Sequence, residues 1–316
     1  MTITKPPERH EEELDYWPYR VFNWRRWDND LGTLNLIDKA AVERGLKAPE
    51  TFEVCALGSK MRPDEVLGDT DYECNYEHSL LRAGKYEFGP TEEPVFEAGD
   101  RFMVETHGMS NSHIDAYCHV GHKGRSFNGV PFDEVITLEG GARRYTVIEQ
   151  GGIMTRGWLV DVPLQRGLEF LRPGDPVVPE DLLSLDGLIE PGDALVIRTG
   201  RFAAPLIAPD NASAEDEHGN WSGLHVDSIE LVAKWDVCTV ATDGPADNFP
   251  STTPECSVPI HVLTEVYLGL PLIHHLNLEI LAARLANRKR KIFQFSVAPL
   301  CIEGGTGSPV SPLAVI

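Results

Sequence analysis

The chain has 316 residues, 42% of them hydrophobic, and its 49 acidic against 28 basic residues leave a formal charge of −21. A chain of this length encloses roughly three-quarters of its unfolded surface and needs no staple to fold. The acidic excess repels phosphate backbones and anionic headgroups, and the longest basic block is only Arg288-Lys289-Arg290-Lys291, which argues against a nucleic acid or a membrane surface as partner. No apolar run reaches the ~18 residues of a membrane span and the N-terminus lacks an apolar signal core, so a cytoplasmic protein is expected.

In chain order, residues 1–100 are rich in Trp, Pro and charge (Trp17, Trp24, Trp27, Pro18, Pro63, Pro90), with one short helix expected near Ile37 to Gly45. They are expected to form an irregular extension that wraps a catalytic unit spanning residues 101–316, the whole being one structural domain, since no linker or repeat marks a seam. Strands are expected at Arg101 to Thr106, Trp158 to Val162 and Ala194 to Arg198, the last following the turn Glu190-Pro191-Gly192-Asp193. Apolar residues at helical spacing in Ser228 to Trp235 lead into an apolar stretch, Val237 to Ala241, that ends at Thr242-Asp243-Gly244. Helices over Pro259 to Leu268 and Leu278 to Asn287, a strand over Ile292 to Val297 and a turn-rich tail, Gly304 to Pro309, complete a mixed α/β pattern. The six cysteines (Cys55, Cys74, Cys118, Cys238, Cys256, Cys301) form no C-x-x-C pair and read as buried free thiols.

Three of eleven histidines, His113, His119 and His122, fall within ten residues in S-N-S-H-I-D-A-Y-C-H-V-G-H. In an extended segment His113 and Asp115 share a face, because side chains alternate with period two, so a ring nitrogen and a carboxylate oxygen converge on one cation. A third ligand must come from elsewhere, and His261, opening a helix, is the candidate. His107, His122, His225 and His78 read more simply as packed or solvated residues.

Met109 to His119, M-S-N-S-H-I-D-A-Y-C-H, resembles without a gap the H-x-G-T-H-x-D-x-P-x-H signature of the cyclase family of metal-dependent hydrolases, which includes bacterial kynurenine formamidase and isatin hydrolase. The similarity extends through Ile197-Arg198-Thr199-Gly200-Arg201, Thr242-Asp243, His261 and the tail from Pro299 to Val310, with Asn23-Trp24 and Leu31 to Ile37 resembling the longer branch of the family. The resemblance implies a swivelling β/β/α fold, a mixed sheet flanked by helices, with His113, Asp115 and His261 as metal ligands and His119 as general acid/base. Met109 stands in place of the family's first histidine, Tyr117 in place of its proline, and His274 (or His275) where a glutamate ligand usually follows. A thioether is a poor ligand for hard or borderline divalent ions, and His107, two residues earlier, shares a face with Met109 in a strand and would need a bulge to supply the missing ligand. One divalent ion, Zn or Mn, held by His113, Asp115, His261 and His274, is therefore expected.

Such an ion polarises a carbonyl and lowers the pKa of water toward ~7, while His119 is suited to take and return the proton. The expected activity is hydrolysis of an amide, imide or lactone bond in a small cyclic or aryl substrate by a homo-oligomer, a dimer or tetramer. A lyase or cyclase acting on a carbonyl substrate, and a metal-free binding protein on the same scaffold, are the alternatives. Tyr117, Phe127, Trp24, Trp27 and Trp221 are candidates to line a substrate pocket, with Asn128 and Arg201 contacting its polar groups. A Cys118 nucleophile is disfavoured because alternation points it away from His113 and Asp115, and Ser308 in G-T-G-S-P is turn chemistry rather than a nucleophile elbow.

Overall fold

The computed structural model describes residues 21–61, 76–85, 95–109, 111–204 and 219–316. Cys74, and Trp17, Pro18, Pro63 and Pro90 of the expected extension, lie outside them. Thirteen strands are described: β1 Val54–Ala56, β2 Tyr76–Lys85, β3 Phe96–Val104, β4 His113–Asp115, β5 Ile136–Thr137, β6 Gly141–Ala142, β7 Ile153–Asp161, β8 Ala194–Arg198, β9 Thr239–Thr242, β10 Leu272–His274, β11 Ile292–Val297, β12 Gly307–Pro309 and β13 Leu313–Val315. Nine form one mixed sheet in the order β1-β13-β11-β7-β8-β9-β10-β4-β12.

The centre of that sheet, β7-β8-β9-β10, is parallel. Parallel strands covered on both faces read as continuous apolar runs rather than alternating ones. Ala194–Arg198 and Thr239–Thr242 are buried at every position accordingly. Helices over Ile229–Lys234, Pro259–Leu268 and Glu279–Leu285 pack around it, near their expected places, the middle one widening into a π-helix from Val262 to Leu268. The helix expected near Ile37 runs from Lys39 to Leu46, with Asp38 capping it by accepting from the Ala41 amide at 2.9 Å. Gly45 lets this helix sit directly on β7, since a Cβ there would come within 2.5 Å of the Thr155 carbonyl carbon.

Two expectations change. The N-terminal part is not wholly irregular: β1 extends the main sheet by pairing with β13, and β2 forms a hairpin with β3 that crosses the boundary at residue 100. The tail is not only a turn either, because Gly307–Pro309 pairs antiparallel with His113–Asp115 and carries Ser308 into the sheet. Packing does order residues 21–53, the described part before β1. The Trp24 indole donates to the Val266 carbonyl at 2.6 Å, and the Thr33 hydroxyl donates to the Cys238 carbonyl at 2.9 Å. Cys55, Cys118 and Cys238 are buried free thiols as expected, whereas Cys256 is half-buried and Cys301 exposed. Among the described residues no helix is long and apolar enough to cross a membrane.

Candidate metal and active site

Strand β4 is the seat of the site. It runs between β10 and β12, with His113 directly opposite His274 and Asp115 opposite Gly307. Period two puts His113 and Asp115 on one face, and the cross-strand register puts His274 beside them. The site also lies beyond the carboxyl ends of β9 and β10, the edge where parallel sheets usually present functional groups.

Asp115, fully buried, is the hub. Its Oδ1 lies 2.8 Å from His107 Nδ1 and 3.7 Å from His113 Nε2; its Oδ2 lies 2.7 Å from His274 Nε2 and 3.6 Å from His261 Nε2. Burial alone would raise the pKa of this carboxyl, but the charge and hydrogen bonds of His274 and His107 outweigh it and hold the group well below the usual carboxylate range. Two of the rings are aimed from behind. His113 donates from Nδ1 to the Asn111 carbonyl at 2.9 Å, and His261 donates from Nδ1 to Asp247, which also accepts the amides of Ile260 and His261. That arrangement fixes the tautomer and leaves Nε2 of each ring facing Asp115. Burial pushes the His113 pKa down to about 3, so its ring is neutral and ligand-ready. The His261 ring is driven the other way: the penalty of burial is outweighed by Asp247, with Glu265 and Asp115 adding to it, and its pKa rises to about 9.

The four expected ligands divide into two groups that share Asp115. One is His113, Asp115 and His274, all buried; the other is Asp115, His261 and Glu265. Glu265 was not among the sequence candidates, although it stands one helical turn after His261 and therefore on the same face. Neither carboxylate oxygen of Glu265 has a hydrogen-bond partner among the described residues, nor has His274 Nδ1. Burial and the Asp115 charge raise the Glu265 pKa well above the carboxylate range. A buried carboxyl group without a close side-chain partner beside the His261 ring is costly in a purely structural site, and a cation would satisfy its charged form. The donor set, imidazole nitrogens with carboxylate oxygens, suits a divalent metal ion.

His119 lies at the half-buried mouth of the cluster, its ring stacked on His107 at 3.5 Å between centroids. Burial lowers its pKa to about 4, so it enters a reaction as a neutral base. His107, expected to be a packed or solvated residue unless a bulge brought it to the ion, thus joins the site. The chain turns between Glu105 and Gly108, where the Gly108 amide donates to the Glu105 carbonyl, so His107 does not share a strand face with Met109. Thr306 binds the far nitrogen of His107 at 3.0 Å. Gly307 makes room for that ring, since a Cβ there would fall 2.8 Å from its Cε1.

Several pocket candidates are corrected. Tyr117 is fully buried and its hydroxyl donates to the Leu31 carbonyl, while Phe127 packs at 5.5 Å between centroids from Tyr117 and is 1% exposed; both rings are core. Trp24 is likewise consumed by packing, stacked on Tyr267 at 5.6 Å. Asn128 Oδ1 accepts the Arg25 amide at 2.7 Å, away from Asp115. Trp27 carries the Arg26 guanidinium over its ring. Trp221 stays near the site, stacked on Phe249 and donating to the backbone carbonyl of Asp247. Arg201 is buried on the side of His275, whose pKa burial and the Arg201 charge depress, and the His275 ring is 5.6 Å from His113. The Thr199 to Arg201 and Thr242-Asp243 turns are joined, because Asp243 accepts the amides of Thr199, Gly200 and Arg201. Cys118 is buried and its thiol pushed up to about 12 by burial, which removes it as a nucleophile.

A putative cyclase family matches residues 85–247. Among solved structures, a novel cyclase superposes with a TM-score of 0.79 at 23% identity, covering 94% of this chain and 100% of its own. An isatin hydrolase bound to the product analogue thioisatinate gives 0.56 at 19% identity, covering 84% and 92%. Isatin hydrolase A from Labrenzia aggregata, bound to benzyl benzoate, gives 0.55 at 19%, covering 84% and 93%. At these identities the likeness is one of fold. No curated protein matches the sequence.

Proposed function

Because the chain belongs to the putative cyclase family, its match covering just over half of the sequence, we propose that it is a metal-dependent hydrolase opening an amide, imide or lactone bond of a small cyclic or aryl substrate. The observation that carries this reading is the convergence of His113, His261 and His274 Nε2 atoms on the single buried carboxylate of Asp115, beside an unpartnered Glu265. His113, Asp115 and His274 would hold one divalent ion, zinc or manganese, with His261 and Glu265 on the far side of Asp115. Such an ion, when present, supplies Lewis-acid polarisation of the carbonyl and a more acidic water.

The chain's own groups account for the rest. His119 takes the proton of the attacking water and passes it to the leaving nitrogen or oxygen. His107, fixed by Asp115 and Thr306, holds the His119 ring plane by stacking and is a positioning residue. Arg201, on the His275 side, would meet a substrate carboxylate or carbonyl, and Trp221 with Phe249 would offer an aromatic wall beside Asp247. The reading carries with it a cytoplasmic place and a small-molecule substrate.

The test is hydrolysis of a panel of cyclic imides, lactams, lactones and aryl formamides, isatin included, by protein loaded with Zn or Mn and by chelated protein, in ¹⁸O-water. Ion-dependent ring opening with one ¹⁸O in the product supports hydrolysis. Product without ¹⁸O turns the assignment to a cyclase or lyase, and absence of bound metal after loading turns it to a binding protein.

A further inference from the structure

Resting on the hydrolase reading of the Asp115 site, we propose that Arg201 and His275 together bind a carboxylate carried by the substrate. The substrate class is then an anionic one: a small amide, imide or lactone with a free carboxylate close to the bond that opens.

Strand β10 ends at His274, which faces Asp115. Alternation would send the next side chain to the opposite face of the sheet. His275 instead adopts a left-handed backbone, φ 58°, and its ring comes back to lie 5.6 Å from that of His113 and 6.2 Å from that of His274. A non-glycine residue is uncommon in this region and persists only where its surroundings fix it. Here the His275 amide donates to the Gly244 carbonyl at 3.3 Å, and its carbonyl accepts the Ser112 hydroxyl at 2.7 Å. The residue is 2% exposed, yet its Nδ1 has no hydrogen-bond partner among the described residues. A buried imidazole turned back toward the site with a nitrogen unused calls for a ligand atom.

Gly244 brings Arg201 to the same place. Its carbonyl takes the His275 amide, and a Cβ on it would fall 3.2 Å from Arg201 Cδ and 3.8 Å from the Ser222 carbonyl oxygen, so the Arg201 side chain runs through the space that glycine leaves. The Arg201 backbone is pinned as well, its amide donating to Asp243 at 3.1 Å. Asp243 also accepts the Thr199 and Gly200 amides and the Thr199 hydroxyl, which commits its oxygens to this turn. Arg201 is thus a buried cation, and burial together with its charge holds the His275 ring neutral. A neutral ring donates one N–H while the guanidinium supplies the charge, a pairing suited to a carboxylate.

The approach matches in sign. Although the chain carries −21, the segment from Ala116 to Pro131, which runs through His119 at the mouth of the site, contains no acidic residue and presents Lys123 and Arg125 as exposed cations. A locally positive rim on an acidic body steers an anion to this opening.

The test is calorimetric binding to the full chain, metal-free and zinc-loaded, of matched probes that differ in the carboxylate: N-formylanthranilate against formanilide, and dihydroorotate against dihydrouracil. In at least one pair the carboxylate should bind at least about tenfold more tightly, metal-free as well as loaded. Arg201→Gln should weaken that charged probe about tenfold or more and leave its neutral partner within about twofold, and His275→Leu should weaken the charged probe about threefold or more. A merely structural Arg201 would weaken both probes alike, and that result overturns the assignment, as does a His275→Leu variant that binds the charged probe as the wild type does. Equal binding of charged and neutral probes by the wild type, in both pairs, overturns it without any variant having to fold. A preference confined to loaded protein that survives Arg201→Gln also overturns it, because the ion then holds the carboxylate. Turnover of the same probes is scored apart: the binding preference without hydrolysis of any probe supports the subsite and counts against the hydrolase reading, whereas hydrolysis with equal binding keeps that reading and removes the subsite.

Discussion

Replacing Asp115 by Asn separates a metal site from an ordinary polar cluster. The change is nearly isosteric, but it removes the charge that faces four imidazoles within 3.7 Å. From sequence alone, a buried unpaired carboxylate would be relieved by losing its charge. The structure reverses that expectation, because Oδ1 and Oδ2 each accept a close hydrogen bond, from His107 and His274. Hydrogen bonds to charged groups contribute about 1.5–3 kcal/mol each, and an amide can keep only one as acceptor while its NH₂ confronts the other ring. The metal-free variant should thus be less stable by about 2–4 kcal/mol, a loss of roughly 5–15 °C in Tm at this size. Metal content after loading should fall below about a tenth of an equivalent, since both proposed ligand groups share this residue. Elemental analysis and thermal melts of metal-free and loaded samples read both quantities. Wild-type metal content, or a metal-free variant as stable as the parent, would refute the argument.

His119→Ala should retain the metal and lose a factor of ~10²–10⁴ in kcat, and the wild-type rate should hold on acidification until His119 protonates near pH 4, well below an ordinary imidazole. Loss of metal in this variant would make His119 a ligand. Cys118→Ala should leave kcat within about twofold, because a buried thiol with a pKa of about 12 supplies no thiolate; a collapse of rate with the fold intact would restore the nucleophile. His261 has a folded pKa raised to about 9 against an ordinary value of 6.5, so in metal-free protein its contribution is complete below pH ~6.5 and is lost as pH rises through about 9. That shift amounts to about 3 kcal/mol, and Asp247→Asn, which removes its chief partner, should flatten this part of the Tm profile between pH 6 and 9.5.

What the sequence disclosed follows from where each residue's constraint lies. Ala194–Arg198 was legible to the residue because a central parallel strand is a continuous apolar run bounded by turn residues, and Ile292–Val297 because Phe293, Phe295 and Val297 alternate with Gln294 and Ser296. His113 and Asp115 were legible because period two suffices to place both on one face. Gly307–Pro309 was not, since a Gly-Ser-Pro run has the composition of a turn and becomes a strand only through its pairing with β4, about 190 residues earlier in the chain. His107 was hidden by a turn that breaks the strand before it, and Glu265 by its place in an otherwise apolar helix, although the four-residue spacing from His261 was a usable signal. Tyr117, Phe127 and Trp24 misled because a large ring near a functional motif has the same composition whether it lines a pocket or fills a core.

The central claim, a divalent ion seated on Asp115, is tested most directly by anomalous diffraction from crystals of protein loaded with zinc or manganese. A peak is predicted about 2.0–2.3 Å from an Asp115 oxygen and from the Nε2 atoms of His113 and His274. Crystals loaded to saturation with no anomalous density at this cluster, or density only at exposed carboxylates elsewhere, would contradict it.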